Sequence, residues 1–158
     1  IMVPNKREFI FNWLLQNEIA LGNASLNKKN IDFLKEKGIK AILNLCYSIE
    51  YVHPTDIFVD FEYKHLELPD HRSSHKISKK QIFESIEIIK EIKKKGPTFI
   101  HCMQSIERSP LICMAWLICE KKLPLDNALE YLMRIHKTTN PTNEQLLLLR
   151  EISLNNKI

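Results

Sequence analysis

Cys102 and Arg108 lie within the run His101-Cys102-Met103-Gln104-Ser105-Ile106-Glu107-Arg108-Ser109-Pro110. The apolar Thr98–His101 stretch before the cysteine reads as a strand, and the segment from Arg108 to Cys119 reads as a helix. A strand-to-helix loop of this length can curl so that successive N–H groups, from Met103, Gln104, Ser105, Ile106 and Glu107 to Arg108, point inward as a nest for a tetrahedral oxyanion. The following helix aims its positive end at the same point. Arg108 adds a planar fork that matches two phosphate oxygens, which a lysine could not do. Such a field favours the thiolate form of Cys102, the form that attacks phosphorus. Pro110 suits an early helical position, where its missing N–H would be unpaired in any case. A Cys-x5-Arg match alone is weak. The strand before it, the helix after it, and the flanking His101 and Ser109 lift it.

Nothing else in the composition competes with this chemistry. The other cysteines, Cys46, Cys113 and Cys119, do not have metal-knuckle spacing, and no paired histidines complete a site, so neither a metal nor another cofactor is expected. Lys6, Arg7 and Glu8 interrupt any apolar leader early, which suggests reduced thiols and a cytoplasmic setting. Ile1 before Met2 suggests an added residue or an internal starting point. The net charge of +4 is too diffuse for a nucleic-acid surface but leaves room for an anionic ligand. The longest apolar run, Leu111–Cys119, is half the ~18 residues of a membrane span. With 44% hydrophobic and 27% charged residues, the expectation is one folded domain over 1–158, with its core over about 9–153. Oligomeric state is not legible.

The elements that must hold Cys102 can be read in order. Phe9–Leu15 and Ile19–Leu21 form two short strands around Gln16-Asn17. Asn27 caps a helix over about Lys28–Lys37 that ends at Gly38. Ile39–Leu45 is a buried strand, a loop runs through Pro54, and Phe61–Leu68 is a further strand. Ser78 opens a helix with Ile82, Ile86 and Ile89 on one face, and Gly96-Pro97 stops it. Pro124–Lys137 and Asn143–Ser153 supply two more helices. The alternation indicates an α/β fold with a central, mostly parallel sheet flanked by helices, whose ligands gather at the carboxyl ends of the strands.

At these residues the chain resembles the cysteine-dependent protein tyrosine phosphatases, specifically the small dual-specificity phosphatases. Their motif, His-Cys-x-x-Gly-x-x-Arg-Ser/Thr, stands here as His101, Cys102, Ser105 in the glycine place, Arg108 and Ser109. Ile19-Ala20-Leu21-Gly22 and Gly38-Ile39-Lys40-Ala41-Ile42-Leu43-Asn44-Leu45 are similar to the family's amino-terminal half. The resemblance implies the dual-specificity phosphatase fold and a phosphocysteine intermediate on Cys102. Expelling the alcohol then needs a proton donor on a movable loop. Asp70, in Leu68-Pro69-Asp70-His71-Arg72-Ser73-Ser74-His75, lies 32 residues before the cysteine, the separation this resemblance implies. A turn or capping aspartate is the plainer reading of that residue. In the resembling mechanism Asp70 is general acid and then base, Ser109 hydrogen-bonds the sulfur, and His101 supports the loop.

Two departures stand out. Ser105 brings a β-carbon into a loop that approaches phosphate closely, and at positive φ it costs on the order of 1 kcal/mol. Glu107 puts a carboxylate beside an anion site, harmful if it points inward and harmless if it points to solvent. A similar pairing occurs in cell-cycle phosphatases of rhodanese fold. His71, Arg72, His75, Lys76, Lys79 and Lys80 form either a basic rim for substrate or a solvated helix start. The loop side chains offer no lysine for inositol phosphates, so the expected partner is a phosphorylated protein carrying phosphotyrosine, phosphoserine or phosphothreonine. A phospho-ligand-binding pseudophosphatase and a lipid or RNA phosphatase are the alternatives. Asn44-Leu45-Cys46 also resembles the phosphatase-and-tensin lipid phosphatases, which implies Cys46 as a redox partner for Cys102.

Overall fold

A computed structural model describes residues 8–24 and 26–155. Ile1, Met2, Lys6 and Arg7, on which the expectations about the chain start rest, lie outside the described residues. Among the described residues five strands form one sheet: β1 (Phe11–Leu15), β2 (Ile19–Asn23), β3 (Ala41–Asn44), β4 (Glu62–His65) and β5 (Thr98–Cys102). Their order is β1-β2-β5-β3-β4. Only β1–β2 is antiparallel, as its short hairpin turn requires. β5 lies at the centre, parallel to both β2 and β3, with Asn23 opposite Cys102 and Asn44 opposite His101.

Strand alternation divides the sheet between two apolar cores. Leu21, Leu43, Ile100 and Cys102 face one side, packed under α3 (Lys79–Ile92), α4 (Arg108–Glu120), α5 (Leu125–Ile135) and α6 (Asn143–Asn155). Ala20, Ile42 and Phe99 face the other, against α1 (Lys28–Glu36) and α2 (Ile57–Asp60). Phe99 is fully buried there, worth about 1.5–3 kcal/mol relative to exposure. The helix α4 is buried from Arg108 to Ile118, which explains why its sequence is apolar on every face rather than striped. Cys113 belongs to that core, and burial holds its thiol pKa well above the ordinary cysteine range.

The expected elements are present with ends shifted by a few residues. The caps are as expected: the Asn27 side chain accepts from Asn30 N–H, and Ser78 and Gln81 form a reciprocal capping box. The four-residue α2 falls between the loop through Pro54 and the strand from Phe61, where the sequence indicated no element. The strand expected over Phe61–Leu68 ends at His65, after which Leu66 and Leu68 N–H still bond to Asn44 and Leu45 carbonyls. Gly22 is required by contact: a β-carbon there would sit 1.9 Å from Ile10 O and 2.8 Å from the Phe99 ring. Among the described residues no helix is long and apolar enough to cross a membrane.

Candidate active site

β5 delivers Cys102 to the carboxyl edge of the sheet, and the loop from Met103 to Glu107 closes around its sulfur before α4 begins at Arg108. Cys102 Sγ accepts from Ser105 N–H at 3.2 Å and Ser109 N–H at 3.5 Å, and lies 3.3 Å from Ser109 Oγ. These donors stabilise a negative sulfur. The expected Ser109–Cys102 contact is therefore present. A pocket of about 240 Å³ opens above it, lined by Cys102, Met103, Gln104, Ile106, Glu107 and Arg108, with Asp70, His71 and Arg72 opposite.

Arg108 is 3% exposed. Its Nη1 and Nη2 donate to Glu50 Oε1 and Oε2, both at 2.8 Å, and Nη1 also faces Leu68 O at 3.2 Å and Leu45 O at 3.4 Å. Burial pulls the guanidinium pKa down, but Glu50 and the sulfur of Cys102 outweigh it, and Arg108 stays charged. Of five N–H groups, Glu50 takes two and the carbonyls a third. The edge formed by Nε–H and the second Nη2–H remains directed as a fork for two oxygens. Burial raises the Glu50 carboxyl, yet the Arg108 hydrogen bonds and the N–H of Tyr47 bring it below the usual range. Glu50 was not legible from sequence, because a lone glutamate in a loop carries no signal.

Asp70 sits across the pocket, as expected of a leaving-group acid, but it is occupied. Arg72 grips it through backbone N–H at 2.9 Å, Nε at 2.9 Å and Nη2 at 2.6 Å. Burial raises the Asp70 carboxyl; the Arg72 hydrogen bonds and charge, with Arg108 behind them, lower it further, below the ordinary value.

Glu107 follows neither expected course. It turns sideways out of the loop, pairing with His71 Nδ1 through Oε2 and accepting from Gln145 Nε2 through Oε1 at 3.3 Å. The Cys102–Arg108 loop, the Asp70 loop and α6 are thereby joined. The basic rim is also largely paired off: Arg72 with Asp70, Lys76 with Glu144, Lys79 with Glu151 and His71 with Glu107.

Ser105 takes φ 58°, the left-handed conformation that glycine would adopt without cost, and its side chain is fully buried. The loop after α5 braces it. His136 Nε2 and Thr138 Oγ1 each lie 2.8 Å from Ser105 O, and Asn140 N–H donates to Ile106 O at 2.9 Å. The polar His136-Lys137-Thr138-Thr139-Asn140 run after an amphipathic helix was the one sequence signal for this brace.

His101 supports the loop less than expected. Its Nδ1 makes one long contact, 3.4 Å from Cys102 O, and Nε2 has no partner among the described residues. The ring stacks on Phe99, and burial pushes its pKa down to about 4. Cys46 is a buried free thiol just past β3, its pKa pushed up to about 12 by burial and by Cys102, against a smaller opposing pull from Arg108.

A cysteine sulfur accepting from the amides of its own loop, in one anion-sized pocket with a carboxyl, defines the class of cysteine-dependent phosphatase domains. The chain belongs, within that class, to the dual specificity phosphatase catalytic domain family, which matches residues 19–154. Dual specificity protein phosphatase 1-B of Xenopus laevis is 32% identical over 112 residues, covering 70% of this chain and 28% of that protein. This chain thus spans under a third of such curated relatives. The crystal structure of Tk-PTP in its active form shares the fold with a TM-score of 0.78 at 23% identity, over 94% of this chain and 97% of that one. That of PTPMT1 in complex with PI(5)P also gives 0.78, at 14% identity, over 92% and 95%.

Proposed function

We propose that this chain hydrolyses phosphomonoesters of phosphoproteins, on tyrosine, on serine or threonine, or on both, without a metal or other cofactor. The observation that carries this reading is the set of donors closing on Cys102 Sγ, from Ser105 and Ser109, at the floor of the pocket. In this scheme the loop amides and the free edge of Arg108 hold the phosphoryl oxygens. Cys102 Sγ attacks phosphorus, the ester P–O bond breaks, and Asp70 gives its proton to the leaving oxygen. Water then attacks the phosphocysteine, Asp70 takes its proton, and the P–S bond breaks with the electron pair returning to sulfur. The Ser109 hydroxyl donates to that departing thiolate.

Asp70 must be protonated for the first step, so Arg72 must let go. An incoming phosphate is the natural competitor for Arg72, which ties release of the acid to the arrival of substrate. The loop side chains favour phosphoprotein over phosphoinositide, since Met103, Gln104, Ile106 and Glu107 include no cation. PTPMT1, which shares the fold, was crystallised in complex with PI(5)P, and a lipid substrate is the second reading. Four free cysteines suit a reducing, cytoplasmic setting. We include in the proposal a reversible disulfide between Cys46 and Cys102 that protects the nucleophile.

Turnover of p-nitrophenyl phosphate, abolished by Cys102→Ser, is the expected result. Activity surviving that substitution overturns the mechanism, and phosphate binding without turnover makes the chain a binding module. Comparison of phosphopeptides with vesicles containing PI(5)P then separates the two substrate readings.

A further inference from the structure

His136 is a fully buried histidine with no part in the steps above, yet it connects to the sulfur through two side chains. Its Nε2 lies 2.9 Å from Ser105 Oγ, Ser105 Oγ lies 2.7 Å from Ser109 Oγ, and Ser109 Oγ lies 3.3 Å from Cys102 Sγ. On the far side of the ring, the Asn12 amide nitrogen, from β1, lies 2.9 Å from Nδ1. We propose that His136 is a positioning residue for the reaction at Cys102, setting a one-way chain of hydrogen bonds that turns the Ser109 hydroxyl proton toward the sulfur.

The direction follows from donor arithmetic. Burial lowers the His136 pKa, so the ring is neutral and carries one proton. The Asn12 amide nitrogen can only donate, so Nδ1 accepts and the proton sits on Nε2. Ser105 Oγ then has no acceptor at His136, and its own hydrogen must go to Ser109 Oγ. Ser109 Oγ, receiving that bond, has its hydrogen left for Cys102 Sγ or for Gly22 O at 3.4 Å. A thiolate is the stronger acceptor, because an ionised partner strengthens the bond about twofold. Nε2–H is shared with Ser105 O at 2.8 Å and Thr138 Oγ1 at 3.0 Å, and neither partner gives Ser105 Oγ–H another acceptor. The serine in the glycine place thus has a use: its β-carbon, unfavourable at φ 58°, carries the hydroxyl that links histidine to Ser109.

The inference rests on Cys102 being the reactive thiolate, and it is tested by a measurement that needs no turnover. Iodoacetamide alkylation of Cys102 is followed across pH in the folded protein, for His136→Phe, Ser105→Gly and the double variant. Glycine accepts φ 58° and leaves the carbonyl at 105 for His136 to brace, so Ser105→Gly removes only the hydroxyl link. Each single variant is expected to slow alkylation near neutral pH by about three- to tenfold, with no further loss in the double variant. His136→Gln, which returns an N–H near the Nε2 position, is expected to recover most of the rate. Burst kinetics with p-nitrophenyl phosphate should show slower breakdown of the phosphoenzyme, lowering kcat more than kcat/KM. Asn12→Leu, which frees the tautomer from outside the loop, carries the same cycle should His136→Phe fail to fold. Equal losses from His136→Phe with and without the Ser105 hydroxyl would reduce His136 to loop support and overturn the proposal. Unchanged alkylation in both singles would overturn it as well. Absent phosphatase activity with the alkylation pattern intact would count against the proposed function and not against the chain of hydrogen bonds.

Discussion

Glu50 and Arg108, 58 residues apart in the chain, form a two-pronged buried ion pair with both nitrogen–oxygen distances at 2.8 Å. The pair pins the guanidinium so that its remaining edge is set before any anion arrives. Glu50→Gln should lower stability by about 2 kcal/mol, since a buried charge loses its partner. It should also raise KM for p-nitrophenyl phosphate. Because the folded Glu50 carboxyl titrates below its ordinary value, the wild-type advantage is present above the usual carboxylate range. That advantage is lost as pH falls through the lowered value. Urea melts at several pH values check both statements, and a gap that widens toward acid would contradict them.

Arg72 is expected to set the alkaline limit of activity. Asp70 must carry a proton when the leaving oxygen departs, and Arg72 holds it until substrate arrives, so the falling limb of kcat/KM, which reports the free enzyme, follows its titration. Arg72→Gln removes the hydrogen bonds and charge that lower Asp70 and leaves burial, which raises it. The limb should move to higher pH with a poor leaving group such as an alkyl phosphate. A pH–rate profile unmoved by the substitution would mean that Arg72 does not govern the acid.

Glu107 joins the two loops that must act together. Its partner His71 is well exposed, so Glu107→Ala should cost under about 1 kcal/mol of stability. The functional cost should depend on the leaving group, roughly two- to fivefold on kcat for alkyl phosphates and near none for p-nitrophenyl phosphate. Parallel kinetics on the two substrates decide it; equal losses would place the effect in phosphate binding instead.

Peroxide should convert Cys102 to a sulfenic acid, which the Cys46 thiol then displaces to give a disulfide and water. Cys46 is protonated at neutral pH, so the second step should be slow and should quicken as pH rises. Mass spectrometry after brief peroxide exposure should find the linked peptides. Terminal oxidation of Cys102 alone would remove Cys46 from the site.

The strands, the helices and the Cys102–Arg108 loop were legible because each has a local cause: short apolar runs, caps at Asn27 and Ser78, and a strand–loop–helix spacing. The short helix α2 and the early end of β4 were not, since edge and loop segments answer to contacts from distant chain. Glu107 shows the same limit within the site. Its sequence neighbours left its direction open, and the partners that decided it, His71 and Gln145, come from two other segments.

The sequence by itself marked the Cys102–Arg108 loop and the α/β class, because these depend on residue type and short-range spacing, whereas Asp70 was marked only by the resemblance to the phosphatase family. Only the tertiary structure decided how the groups are engaged: Arg108 by Glu50, Asp70 by Arg72, and Ser105 by a histidine 31 residues further on. Hydrogen-bond partnership is a matter of distance and direction in space. Chain separation carries almost no information about it until parallel strands and their crossing helices bring the loops to one edge.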